Sequence, residues 1–223
     1  MESKGGIFQK IFYFRLLFRL ISPFSRVANK INWRLGRKFS GEKLDVKSVQ
    51  SQLFAADVIL CHRDYELTNI FIGGHFTHAG MVIDDHSVVE ATSNGVHVSD
   101  LNDFLKKTDD MVILRNTKIR NPALIIDRSL REIGKKYNFS FIQNPHTITC
   151  SELIFKVFDI NSKYFSLKSF QNDGILTFFH QFSLHPEALL NHPDFEVRGT
   201  FSHFLYCQKF ENSQKATNQN VLA

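Results

Sequence analysis

From residue 48 onward, short apolar runs alternate with polar breaks at the spacing of strands joined by hairpins. Phe54–Cys61 (FAADVILC) predicts a buried strand. Thr68–Ile72 is a mixed apolar run that Gly73-Gly74 breaks. Thr77–Ile83 predicts a strand, Asp84-Asp85-His86 a turn, and Ser87–Ala91 the returning strand. Ser93-Asn94-Gly95 makes a second turn, after which Val96–Val98 resumes extended structure. Met111–Arg115 is a further strand, and Phe195–Val197 and Phe201–Cys207 are closing strands. Helical spacing marks Asp100–Lys107 and Pro122–Tyr137, the latter with Ala123, Ile126, Leu130 and Ile133 on one face. It also marks Cys150–Phe158, and Pro186–Leu190 as a helical turn. The pattern is that of an α+β domain, an antiparallel sheet packed against helices. No Gly-rich phosphate loop supports a dinucleotide or P-loop fold.

The N-terminal stretch differs in kind. Residues 1–47 carry eleven Lys/Arg and three Asp/Glu, whereas the rest of the chain is slightly acidic, so the net charge of +5 belongs to this segment. Residues 7–21 (IFQKIFYFRLLFRLI) predict a basic, Phe-rich amphipathic helix. Lys10, Arg15 and Arg19 interrupt its apolar run, which argues against a signal peptide or a membrane span. Residues 26–41 predict a second short helix. Such a segment suits an anionic membrane surface, contacted through residues 7–38, or a plain packing role. Its aliphatic and Phe content argues against nucleic acid as a partner. The expected organisation is a helical segment at 1–47, a catalytic domain at 48–210 and a polar, disordered tail at 211–223. The expected location is cytoplasmic, peripheral on the inner membrane face.

Candidate chemistry centres on Cys150. Thr149 and Glu152 have capping-box spacing, which would start a helix at Cys150 and surround the sulfur with first-turn amides. The helix dipole there favours thiolate. Cys150, Leu153, Ile154 and Val157 share one face, so the sulfur points toward the fold. A cysteine nucleophile needs a base, and His78 opens a strand whose next residues, Ala79 and Gly80, leave space beside it. Hairpin pairing sets His78 across from Ala91, with Glu90 one position away. A bulge or one-residue change in loop length would align the two. Glu90 sits in an otherwise apolar strand and so needs a partner. His75-x-x-His78 raises metal binding, but no third ligand stands at readable spacing, and no metal or cofactor is expected. Cys61 and Cys207 read as core residues, and three cysteines are too few for a disulfide framework.

These residues fall within an ordered set of motifs: Asp57-Val58-Ile59-Leu60, Arg63-Asp64-Tyr65-Glu66-Leu67-Thr68-Asn69, Thr77-His78-Ala79-Gly80, Val88-Val89-Glu90-Ala91-Thr92, Val98-Ser99-Asp100-Leu101 and Cys150-Ser151-Glu152-Leu153. The set resembles the YiiX/YebB-like group, circularly permuted NlpC-like members of the papain-like cysteine hydrolases. The resemblance covers roughly residues 53–158. It implies a permuted papain-like fold with the nucleophile at a helix N-terminus and a Cys-His-Glu triad. Cys150 would be the nucleophile, His78 the base and Glu90 the orienting residue, and Tyr65 would help build the oxyanion hole. Two positions depart from the group: Ala56-Asp57 replaces Gly-Asp, and Tyr137-Asn138 replaces Tyr-Asp, which argues against a polar role at 138. The implied activity is cleavage of an amide in a peptide, peptidoglycan fragment or N-acyl compound through a thioester. The alternatives are thiol-dependent acyl chemistry on a membrane lipid, as in the lecithin retinol acyltransferase-like proteins, and a non-catalytic binding module.

Overall fold

The computed structural model describes residues 45–63, 74–138, 145–160 and 185–201. In chain order these form α1 (Val46–Gln50), β1 (Val58–His62), β2 (His78–Asp84), β3 (Ser87–Thr92), β4 (Gly95–Asp100), α2 (Leu101–Lys106), β5 (Asp110–Asn116), α3 (Pro122–Leu130), β6 (Lys136–Tyr137), β7 (Thr147–Ile148), α4 (Cys150–Val157), a 3-10 turn (Pro186–Asn191) and β8 (Phe195–Phe201). The helices expected at 7–21 and 26–41, Tyr65, the Thr68–Ile72 run, the closing strand expected beyond Phe201 with Cys207, and the polar tail lie outside the described residues.

Six strands form one antiparallel sheet in the order β4-β3-β2-β1-β5-β8, and β6 and β7 form a short parallel pair. Alternation along each central strand feeds two cores. Val58 and Leu60 of β1, Ala79 and Met81 of β2, Val89 and Ala91 of β3, and Val112 and Leu114 of β5 meet α4 on one face. Ile59, Cys61, Val82, Val88, Met111 and Ile113 meet α1 and α2 on the other. The central strands are therefore apolar on both faces, which is why their sequences read as near-continuous hydrophobic runs.

Three expectations shift. The first strand starts at Val58 rather than Phe54, because Phe54–Asp57 is a turn. The Asp57 N–H donates to the Phe54 carbonyl at 3.0 Å, and the Asp57 carboxylate accepts from the Phe54 N–H at 2.8 Å. Arg115 locks that carboxylate with two bonds of 2.8 and 2.7 Å. Within the turn Ala56 has φ +67°, the left-handed region that favours glycine, so the glycine typical of the resembling group has a backbone reason. Second, α3 stops at Leu130 instead of continuing to Tyr137, and the chain turns at Gly134 (φ +86°), whose N–H donates to the Val96 carbonyl. Its inward face is Ile125 and Ser129, with Glu132 buried in the turn that follows, leaving Leu130 and Ile133 more than 40 % exposed. Ser129 fits inside because its hydroxyl donates back to the Ile126 carbonyl at 2.7 Å. Third, β8 runs unbroken from Phe195 through Gly199 to Phe201, with a bulge opposite Ile113/Leu114.

Candidate active site

Helix α4 begins where its sequence sets it. The Thr149 hydroxyl accepts from the Glu152 N–H at 3.2 Å, and the Glu152 carboxylate accepts from the Thr149 N–H at 2.7 Å, a complete capping box. Cys150, Leu153, Ile154 and Val157 are all buried against the sheet. Asn138, buried below the helix start, donates to the same Glu152 carboxylate at 3.4 Å. Position 138 thus has a polar role after all: its amide supplies a donor where a carboxylate would have met Glu152 with like charge.

The β2–β3 hairpin sets the other two residues. Gly80 pairs with Glu90 and Val82 with Val88, and a register shift lies between Val82 and Asp84. His78 is therefore two residues from Gly80 on the same face, diagonal to Glu90 across the strand pair. Its Nε2–H donates to Glu90 Oε2 at 2.7 Å, with both side chains under 9 % exposed. The one-position mismatch expected from the turn is absorbed by the bulge. The space beside His78 is filled by the protein. A Cβ on Gly80 would lie 2.9 Å from the Phe104 ring and 2.9 Å from Val88, so glycine admits Phe104 of α2 beneath the site. The His78 and Phe104 ring centroids are 5.9 Å apart.

Nε2 is engaged by Glu90, which leaves Nδ1 as the second ring nitrogen, and Cys150 acts electrostatically on the ring. Burial and the Arg63 guanidinium both push the His78 imidazole down. Against them, the negative charge and hydrogen bond of Cys150 and the hydrogen bond of Glu90 hold it well above its ordinary value of 6.5. Burial alone would raise the Glu90 carboxyl. Its hydrogen bond from His78 and the charges of Arg63 and His78 overcome this and hold it far below the usual carboxylate range. These are opposite charges stabilising one another inside the protein.

Sequence reasoning gave no role to two neighbours of Glu90. The Ser99 hydroxyl donates to Glu90 Oε1 at 2.6 Å. Arg63 Nη2 lies 3.6 Å from Glu90 Oε2, and the guanidinium covers the Phe104 ring at 5.1 Å. Pairing of Glu90 with His97 puts Ser99 on the diagonal toward Glu90, a signal readable only once the β3–β4 register is known. Arg63 carries no such signal, since an arginine just past a strand end usually points to water. Tyr65 lies outside the described residues.

His75 does not join His78 in a metal pair. Its Nε2 is 3.0 Å from Asp110 Oδ2, its ring stacks on His62 with centroids 4.6 Å apart, and Glu187 accepts from the backbone N–H groups of His75 and Phe76. Among the described residues, no group of three or more His, Cys, Asp or Glu side chains is placed to hold a metal ion. Also among them, no helix is long and apolar enough to cross a membrane.

Comparison with solved structures finds the metalloprotein yiiX from Escherichia coli O157:H7. It is 18 % identical, with a TM-score of 0.54, over 68 % of this chain and 99 % of that one. At this identity the likeness establishes the fold. Comparison with curated proteins gives no match. A family model for permuted papain-like amidase enzymes, YaeF/YiiX, matches residues 52–197. The chain, a cysteine hydrolase of permuted papain-like fold, therefore belongs to the YaeF/YiiX amidase family, C92.

Proposed function

We propose that the chain hydrolyses an amide bond in a peptide, peptidoglycan fragment or N-acyl compound, with Cys150 as nucleophile, His78 as general acid and base, and Glu90 as the residue that orients His78. The observation that carries this reading is the buried line Cys150–His78–Glu90, with the sulfur at the first residue of a capped helix and the ring bonded at 2.7 Å to an ionised carboxylate. The Cys150 thiolate attacks the carbonyl carbon and the C=O electron pair moves to oxygen. The Cys150 N–H, the first of α4, has no carbonyl four residues earlier in the helix to bond, so it is placed to hold that oxyanion. The tetrahedral species collapses to a thioester as His78 gives its proton to the departing amine. Neutral His78 then takes a proton from water as the water oxygen attacks the thioester. Expulsion of the thiolate releases the carboxylic acid and restores the ion pair.

The test needs no knowledge of the substrate. Iodoacetamide labelling at Cys150 is followed by mass spectrometry across pH in wild type and His78→Ala. Because the imidazolium persists above 6.5, wild type should label faster at and below neutral pH, and the two profiles should converge at alkaline pH. Cys150→Ala should lower turnover of an amide substrate by at least about a thousandfold with little change in Tm. Labelling indifferent to His78 throughout would sink the pairing.

A further inference from the structure

Arg63 brings a positive charge into a place where burying one is costly. It follows the last residue of β1 and is 7 % exposed. Its guanidinium lies over the Phe104 ring at 5.1 Å, and that ring lies 5.9 Å from the ring of His78. Its Nη2 is 3.6 Å from the Glu90 oxygen that His78 bonds at 2.7 Å. The groups facing His78 are therefore Arg63 from the end of β1, Glu90 from β3 and Cys150 from α4. His97 Nε2 and the Ser99 hydroxyl of β4 act on it through the other Glu90 oxygen, at 3.9 and 2.6 Å. Buried charges run in alternation, Arg63 positive, Glu90 negative and His78 positive, and on the nucleophile reading the Cys150 thiolate extends the series.

The reaction removes one member of that series. In the free enzyme the Cys150 thiolate offsets the Arg63 guanidinium as a neighbour of His78. In the thioester the sulfur is neutral, and the guanidinium remains. We propose that Arg63 is a positioning residue for the proton: once the Cys150 sulfur is bonded to the substrate carbon in the tetrahedral species, its fixed charge drives the His78 proton onto the departing amine, and in the thioester that follows it keeps the imidazole neutral to activate water. The proposal rests on reading Cys150 and His78 as nucleophile and base. Atoms balance, since the proton leaving His78 ends on the amine nitrogen and the one it regains comes from the attacking water. Arg63 itself exchanges nothing. Its attraction for Glu90 meanwhile keeps the carboxylate ionised, so that the ring stays oriented through both half-reactions. Arginine suits the position because it cannot release its own proton within the working pH range.

The experiment titrates the His78 ring by NMR in the full chain, before and after alkylation of Cys150 with iodoacetamide, whose thioether is neutral like the thioester. Wild type should show the His78 titration falling on alkylation to its ordinary value of about 6.5 or below. In alkylated Arg63→Gln it should lie about one pH unit above that of alkylated wild type, and Arg63→Lys, which keeps the charge, should match wild type. With p-nitrophenyl acetate, Arg63→Gln should accumulate acyl-enzyme at neutral pH, its deacylation limb displaced upward by the same amount. A His78 titration that is the same in alkylated Arg63→Gln and alkylated wild type would overturn the proposal. Should Arg63→Gln fail to fold, wild type still decides, because a titration remaining well above 6.5 after alkylation overturns the proposal without any variant. A different result separates the underlying reading. If Cys150 does not alkylate, or if His78 does not respond when it does, the nucleophile–base pair falls and the role of Arg63 falls with it.

Discussion

The Glu90 carboxylate accepts from the His78 ring and from the Ser99 hydroxyl, and it faces the Arg63 guanidinium. From sequence alone, Glu90→Gln is a mild change, because a neutral amide can still orient an imidazole. Burial alters that expectation. A Gln amide would offer one oxygen to two donors and turn an N–H₂ toward His78 or Ser99, and it would remove the negative charge that faces Arg63. Removing one partner of a buried pair costs about 3–5 kcal/mol. Glu90→Gln is therefore expected to lower Tm strongly and to reduce kcat/KM by about 10²–10⁴-fold. Its pH signature is specific. A carboxyl held low in the folded state adds stability above its unfolded value near ~4.3, and that stability is lost as pH falls through the folded value. An imidazole held high adds stability below ~6.5, lost as pH rises through its folded value. The wild-type advantage over Glu90→Gln, measured as ΔTm across pH, should be widest between mildly acidic and neutral pH and shrink toward both extremes. A pH-independent difference would assign the cost to packing.

At the scale of elements, α4 and the β2–β3 hairpin position the site by different means. The start of α4 is written locally in Thr149 and Glu152, so a reader of the sequence can locate the helix, its cap and its inward face to within a residue. Thr149→Ala removes one half of the box and should cost about 1 kcal/mol by denaturant unfolding, with reduced labelling at Cys150 as the helix start frays. The hairpin is different, because its alignment depends on a bulge that no turn motif announces. The sequence identifies His78 and Glu90 as a pair but leaves their register one residue short. Gly80 was legible as a gap, but what fills the gap comes from α2, more than twenty residues further on. Gly80→Ala should force Phe104 or Val88 to move, costing about 1–3 kcal/mol, and should disturb the ring on which Arg63 rests. An unchanged Tm would mean that α2 can slide. The inward face of α3 was misjudged for a related reason. Hydrophobicity favoured Leu130 and Ile133, while a satisfied Ser129 takes the inward position and an ion-paired Glu132 is buried in the turn that follows. Periodicity counts apolar side chains and cannot see which polar ones will find partners inside.

The whole chain divides its charge unevenly, and that division bears on where the substrate comes from. Residues 1–47 hold eleven of the 27 Lys/Arg and only three of the 22 Asp/Glu. Within them, residues 7–21 alternate Phe, Leu and Ile with Lys10, Arg15 and Arg19. A helix of that composition gains from anionic headgroups through its cations, about 1 kcal/mol each, and from the acyl boundary through its aromatic residues. The amidase domain takes all its described strands from after residue 57. It also needs α1, which begins at Val46, is capped by Asp45 and buries Val49, so a shortened protein should begin at Lys43 rather than inside the helix. Co-sedimentation of full-length and shortened proteins with phosphatidylglycerol and phosphatidylcholine vesicles is the test. The full-length chain is expected to sediment with the anionic vesicles at low salt and to be released as salt screens its charges, while the shortened chain stays in the supernatant. Equal partitioning of the two would confine the segment to packing and leave soluble amides as the natural substrates. Selective binding would place the thiol of Cys150 at a lipid surface, where an acylated lipid amide becomes the first substrate class to assay.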